Sequence, residues 1–225
     1  MARRCAFTLV ELLVILAVIA LLLSILAPTM QRAYTLTERI QCASNMSEIS
    51  NAWLSYANAN NGLICGGWTR CSWDWIWWQG DQDDARRAIE RGALWPYTSK
   101  VLGVYHCPSD TSDHRWTYAI SAVMNGEHTR YIRYNQIIDP TATMMLMEED
   151  DYRGYNTNSW MTNFSGNQWI DYVVGWHDGG ANVAFSDGHV DHWIWEDPRS
   201  YTWRQFGKNQ PGSDLMRLQK VYYPR

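Results

Sequence analysis

The stretch FTLVELLVILAVIALLLSILA, residues 7–27, carries only three polar residues, Thr8, Glu11 and Ser24. Twenty-one residues at about 1.5 Å each make a helix of roughly 30 Å, the thickness of a bilayer's hydrocarbon core. Arg3 and Arg4 precede the run and no acid does. The positive-inside rule therefore predicts a single-pass span with a cytoplasmic N-terminus and the rest of the chain outside. A cleavable secretory signal fits less well, because the apolar run is long and holds an acid near its start. Glu11 is the anomaly: a carboxylate in a span costs a few kcal/mol and usually has a partner, yet no basic residue lies within the run.

Outward from this segment the composition changes. Eight of 16 Leu lie before residue 31, whereas all 14 Trp lie after residue 52. The mean hydropathy of -0.38 thus averages two unlike parts. A net charge of -4 with 19% charged residues argues against a disordered chain and against a basic nucleic-acid binder. Beyond Pro28, residues Leu36, Ile40, Ala43, Ile49, Trp53 and Tyr56 recur at helical spacing. They predict that the helix continues to about Asn58, closed near Gly62, for roughly 75–80 Å in all.

The segment CAFTLVELLVILAVIALL resembles the cleavage and methylation signal of type IV prepilins and type II secretion pseudopilins. The resemblance implies a leader, residues 1–6, cut between Ala6 and Phe7 by a membrane prepilin peptidase that then methylates Phe7. Ala6 stands where the family usually has Gly. Glu11 then becomes the fifth mature residue and pairs with the N-terminus of a neighbouring subunit, while Pro28 is the kinking proline. The implied division is an assembly half of the helix at 7–27, an outer half at 28–60, and a head at 61–225. The implied fold is α+β and pilin-like: a long helix packed on a small antiparallel sheet with long loops.

In the head, 101–105, 116–123, 143–147 and 172–174 read as strands from β-branched and aromatic enrichment. NVAFSDGHVDHWIW, residues 182–195, reads as a hairpin turning at Asp187-Gly188. His177 followed by Asp187-Gly188, together with this hairpin, resembles the H-x9-DG motif of a bacterial family with prepilin-type N-termini. Cys42-Ala-Ser-Asn45 and the CPSD element, Cys107 to Asp110, resemble further markers of it. The role of that family is poorly defined, so the likeness implies architecture more than activity.

Cys5 lies in the leader, leaving Cys42, Cys65, Cys71 and Cys107. An even number outside the cytoplasm favours disulfides, with Cys65–Cys71 and Cys42–Cys107 the preferred pairing among three connectivities. A four-thiolate zinc site is disfavoured without a CxxC pair. No metal centre and no catalytic set is expected: His177 and Asp187 read as a hydrogen-bonded pair across a turn. Glu148 to Asp151 read as a solvated strand end, with calcium binding as the functional alternative. Trp73, Trp75 and Trp77 would share one face of an extended strand, a stacking platform for polysaccharide, unless they fill the core. Nearby acids, Asp74 among them, would repel phosphates.

Two functional classes follow. One is a non-enzymatic pilin or pseudopilin subunit of the inner membrane, with prepilin peptidase and other pilins as partners and its head periplasmic or extracellular in a filament. The other is a membrane-tethered, extracytoplasmic carbohydrate-binding module that never polymerises.

Overall fold

Helix α1, Leu9–Ala59, dominates the computed structural model, which describes residues 8–80, 84–113, 116–150, 159–202, 207 and 209–224. The expected cleavage residues Ala6 and Phe7, and Asp151, lie outside the described residues. The chain divides into two units, with the boundary between Thr37 and Glu38. In the first unit α1 is long and apolar enough to cross a membrane, and its most apolar window has no buried residue. Its start is a capping box: Thr8 N–H donates to Glu11 Oε2 at 2.8 Å, and Glu11 N–H donates back to Thr8 Oγ1 at 3.3 Å. The acid with no basic neighbour in the span therefore satisfies an orphan donor of its own helix. Pro28 lies inside α1 and offers no N–H to the carbonyl one turn back.

In the second unit α1 presents Cys42, Asn45, Met46, Ile49, Ser50, Ala52, Trp53 and Ala57 as its buried face. This differs from the apolar stripe expected from spacing. Ile49 and Trp53 are in it, but Leu36 and Ile40 are exposed. The buried face instead includes the polar Cys42 and Asn45, because it holds side-chain bonds as well as packing. The helix closes with a bond from Gly62 N–H to the Ala57 carbonyl, 2.8 Å, across Asn61 at φ 54° and Gly62 at φ 80°.

The second unit carries a four-stranded antiparallel sheet in the order β1 (Tyr118–Ile120), β2 (Met144–Glu148), β3 (Gly180–Phe185) and β4 (Val190–Ile194). Strands β1, β2 and β3 are buried throughout, so the sheet is covered on both faces there, whereas the edge strand β4 is partly exposed. Short helices α2 (Ala85–Arg91), α3 (Arg199–Thr202) and α4 (Ser213–Tyr222) complete the α-helices among the described residues. The α+β class with a long helix and an antiparallel sheet is as expected. Two expected strands are not: Leu102–Tyr105 is a 3-10 turn, and 172–174 is irregular. The expected hairpin forms, with Gly188 at φ 95° in its turn. A Cβ on Gly188 would lie 3.4 Å from Leu54 Cδ1, so the hairpin tip rests on α1.

The tryptophan-rich segment is not a platform. Trp75 is wholly buried and stacks on Tyr105, with ring centroids 6.0 Å apart, while Trp73 is 56% exposed and Trp77 is half-buried. The backbone there is not an extended strand, so the alternation that would align three indoles is lost. It is pinned by Asp74, a buried carboxylate that accepts the N–H groups of Arg70 and Cys71, both at 2.7 Å.

Candidate functional site

The structure gathers polar chemistry at one buried point between α1 and the sheet. Cys42 Sγ, Cys107 Sγ, a Glu148 carboxylate oxygen and a His177 ring nitrogen all lie within 4.8 Å of one another. All four residues are 0% exposed.

Each comes from a different element, and each position has a local cause. Cys42 sits on the buried face of α1. Three residues on, Asn45 donates from Nδ2 to the carbonyls of Gly103 and His106, at 3.3 and 3.2 Å. This holds the loop carrying Cys107 against the helix, and Cys107 N–H is fixed on Thr117 Oγ1 at 2.6 Å. Glu148 ends β2 opposite Tyr118 of β1. His177 opens a tight turn whose central residues, Asp178 and Gly179, have φ of 55° and 78°. That type I′ conformation favours an Asp-Gly pair, and reciprocal bonds between His177 and Gly180 close it. The turn sets the imidazole just ahead of β3.

Within the cluster His177 Nε2 is 2.9 Å from Glu148 Oε1 and 3.5 Å from Cys107 Sγ. Cys42 donates to Glu148 Oε1, and its sulfur lies 3.2 Å from the Tyr118 hydroxyl. The other carboxylate oxygen accepts Asn182 N–H at 2.9 Å, and Asn182 Nδ2 reaches Oε1 at 3.2 Å. Burial pushes the Cys42 thiol up, reinforced by Cys107 and Glu148. The Cys107 thiol is lowered, chiefly by the hydrogen bond from Cys42 and then by His177, against the opposing effect of burial. Burial alone would lower His177; the hydrogen bonds and charges of Cys107 and Glu148 outweigh it and raise it to about 10.

This arrangement is not a catalytic relay. A thiol–imidazole–carboxylate relay uses both ring nitrogens, one toward the nucleophile and one toward the acid. Here Cys107 and Glu148 meet the same Nε2, while His177 Nδ1 has no partner. Complete burial also keeps a substrate away from either thiol. Four donor atoms converging on one point is instead the layout of a ligand set.

Several expectations are corrected here. His177 does not bond Asp187: it meets Glu148 and Cys107, whereas Asp187 bonds its neighbour His189 at the hairpin tip. Glu148 is not a solvated strand end; it is fully buried because β2 is an inner strand whose last side chain turns toward α1. Glu149 and Asp150 are also buried, so residues 148–150 are not the solvated run of acids that was expected. The expected disulfides are not formed: Cys42, Cys65, Cys71 and Cys107 are free. Cys42 and Cys107 are neighbours as proposed, but their sulfurs are engaged with Glu148, Tyr118 and His177. Cys65 is buried and Cys71 partly exposed, and Asp74 with the backbone closes the loop that their clasp was to close. No four-thiolate set exists among them, but a mixed set with one imidazole and one carboxylate does. In the sequence Cys42 and Cys107 come together only as a disulfide pair, and Glu148 and His177 stand in other motifs. The available signal was that each motif block holds at least one residue able to ligate a metal.

At the other end of α1, Glu11 lies on the exposed, apolar first unit beside Val10, Val14 and Ile15. Residues 1–27 match the model of the prokaryotic N-terminal methylation motif. That match supports a prepilin-type signal, and with the apolar helix it fits an inner-membrane anchored protein. No curated protein and no solved structure matches the chain.

Proposed function

We propose that this chain is a structural pilin-like subunit, cut between Ala6 and Phe7, methylated on Phe7 and assembled into a type IV pilus or a type II secretion pseudopilus. The observation that carries the reading is the methylation-motif match at residues 1–27, on a helix whose first unit exposes nearly every large apolar side chain from Leu9 to Leu26. Such a surface needs lipid or other helices around it. Removal of the leader takes Arg3 and Arg4 away and moves the net side-chain charge from -4 to -6. In assembly the Glu11 carboxylate pairs with the ammonium of a neighbouring subunit's new N-terminus, and the head forms the outer surface. The motif speaks for a structural subunit rather than an enzyme.

The capping box makes the test sharper than simple deletion of the acid. Glu11→Gln keeps a side-chain acceptor for Thr8 N–H but removes the charge. Mass spectrometry of the wild-type chain is expected to find methylated Phe7 at the N-terminus, and Glu11→Gln is expected to be processed yet fail to enter filaments. A mature N-terminus at any other residue refutes the processing step. Normal filament entry by Glu11→Gln refutes the charge pairing.

A further inference from the structure

We propose that Cys42, Cys107, Glu148 and His177 form a closed, structural zinc site that ties the outer half of α1 to the sheet. Three observations carry it.

The first is convergence on a point. Tetrahedral zinc holds sulfur at roughly 2.3 Å and nitrogen or oxygen at roughly 2.0–2.2 Å, which sets neighbouring ligand atoms roughly 3.4–3.8 Å apart. The four candidate ligand atoms are all within 4.8 Å of one another, so sub-ångström adjustments of the side chains suffice. The second is the donor set. Two thiolates, one imidazole and one carboxylate suit zinc, whereas calcium and magnesium take oxygen ligands. The four protein ligands fill a tetrahedron, and their complete burial leaves no open position for substrate. Such a site is structural.

The third is the supporting shell. Metal ligands are normally oriented by outer hydrogen bonds. Asn182 grips both carboxylate oxygens of Glu148 through its backbone and side-chain N–H groups. Tyr118 hydroxyl sits 3.2 Å from Cys42 Sγ, and Thr117 and Asn45 fix the Cys107 loop. A dication among two thiolates and a carboxylate leaves one negative charge, which the Asn182 donors and the Tyr118 hydroxyl face. Coordination forms metal–ligand bonds and releases the thiol protons and any proton on His177 Nε2. No oxidant or reductant is involved.

The rival chemistry is a Cys42–Cys107 disulfide, natural for an oxidising compartment. It would use two of the four groups and take both thiols away from Glu148 and His177, leaving them each other and the Asn182 donors. A bound dication accounts for all four.

The experiment uses the full chain purified in detergent without chelator. Elemental analysis is expected to find about one zinc per chain. Cobalt replacement is expected to give thiolate-to-metal charge-transfer absorption and tetrahedral ligand-field bands. Chelator removal is expected to lower the melting midpoint of the head by roughly 5–10 °C or more, restored by zinc. Glu148→Gln and His177→Asn, close in shape to the native residues, are expected to weaken zinc at least tenfold in a chelator competition. A Cys42–Cys107 disulfide in a peptide map overturns the proposal, as does wild-type chain that takes up neither zinc nor cobalt. Folded Glu148→Gln and His177→Asn variants that retain zinc at wild-type affinity also overturn it, since the ion then sits elsewhere. Should both variants fail to fold, the zinc content and cobalt spectrum of the wild-type chain decide. None of these readouts depends on N-terminal processing.

Discussion

Replacing Trp75 by Ala removes a side chain that is 0% exposed and stacked on Tyr105 at an interplanar angle of 25°. Buried Trp→Ala changes cost about 3–5 kcal/mol, from lost transfer energy and the cavity left behind. One feature moderates this value: the indole Nε1 of Trp75 is buried without a hydrogen-bond partner, and deleting it relieves a penalty of about 1 kcal/mol or more. A net loss of about 3 kcal/mol follows, which lowers the melting midpoint by roughly 6–12 °C for a unit of this size. Trp73, 56% exposed in the same segment, is the internal control, and Trp73→Ala is expected to stay within about 0.5 kcal/mol of wild type. Trp75→Phe keeps most of the packing and discards the orphaned N–H, so it should lie much nearer to wild type than Trp75→Ala. The assay is thermal unfolding of the full chain in detergent, followed by near-ultraviolet circular dichroism. A Trp75→Ala midpoint equal to wild type, or a Trp73→Ala loss as large as that of Trp75→Ala, refutes the assignment of Trp75 to the core.

Two other perturbations probe the supports of the head. Gly188 adopts φ 95° in the β3–β4 turn, where a Cβ makes only ordinary contact with Leu54. Gly188→Ala should therefore cost about 1–2 kcal/mol through backbone strain, read by chemical denaturation, and a neutral result would contradict the left-handed turn. Asp197 is held down to about 2 by hydrogen bonds from the side chain and backbone of Arg199. Because its folded value lies below the ordinary 3.8, its contribution to stability is present above about pH 4 and is lost as pH falls through about 2. A carboxyl-carbon NMR titration should place its midpoint near 2, and an ordinary aspartate value would show that the Arg199 contacts are not held in solution.

The existence and far end of helix α1 were legible because a long apolar run and an Asn-Gly stop are local signals, whereas its buried face was not. The hairpin at Asp187-Gly188 was legible because a positive-φ turn demands specific residues. Val101–Tyr105 was misread as a strand, since a short apolar segment carries no periodicity that separates it from a 3-10 turn. The tryptophan platform failed for a related reason. Alternation aligns side chains only on extended backbone, and Asp74 bends this segment away from it.

The apolar run of residues 7–27 was enough to determine, without any coordinates, that one end of this protein holds a helix long and apolar enough to cross a membrane. Hydrophobic transfer depends on composition and length, so nothing distant was needed to read it. The partners of Glu148 and His177 were beyond that reach. Their pairing with Cys42 and Cys107 depends on strand register, on the turn at Asp178-Gly179 and on which face of α1 meets the sheet. Those are long-range choices, made when the chain closes on itself to bring residues as far apart as Cys42 and His177 to one point. Tertiary structure alone turned four separate motifs into one buried cluster.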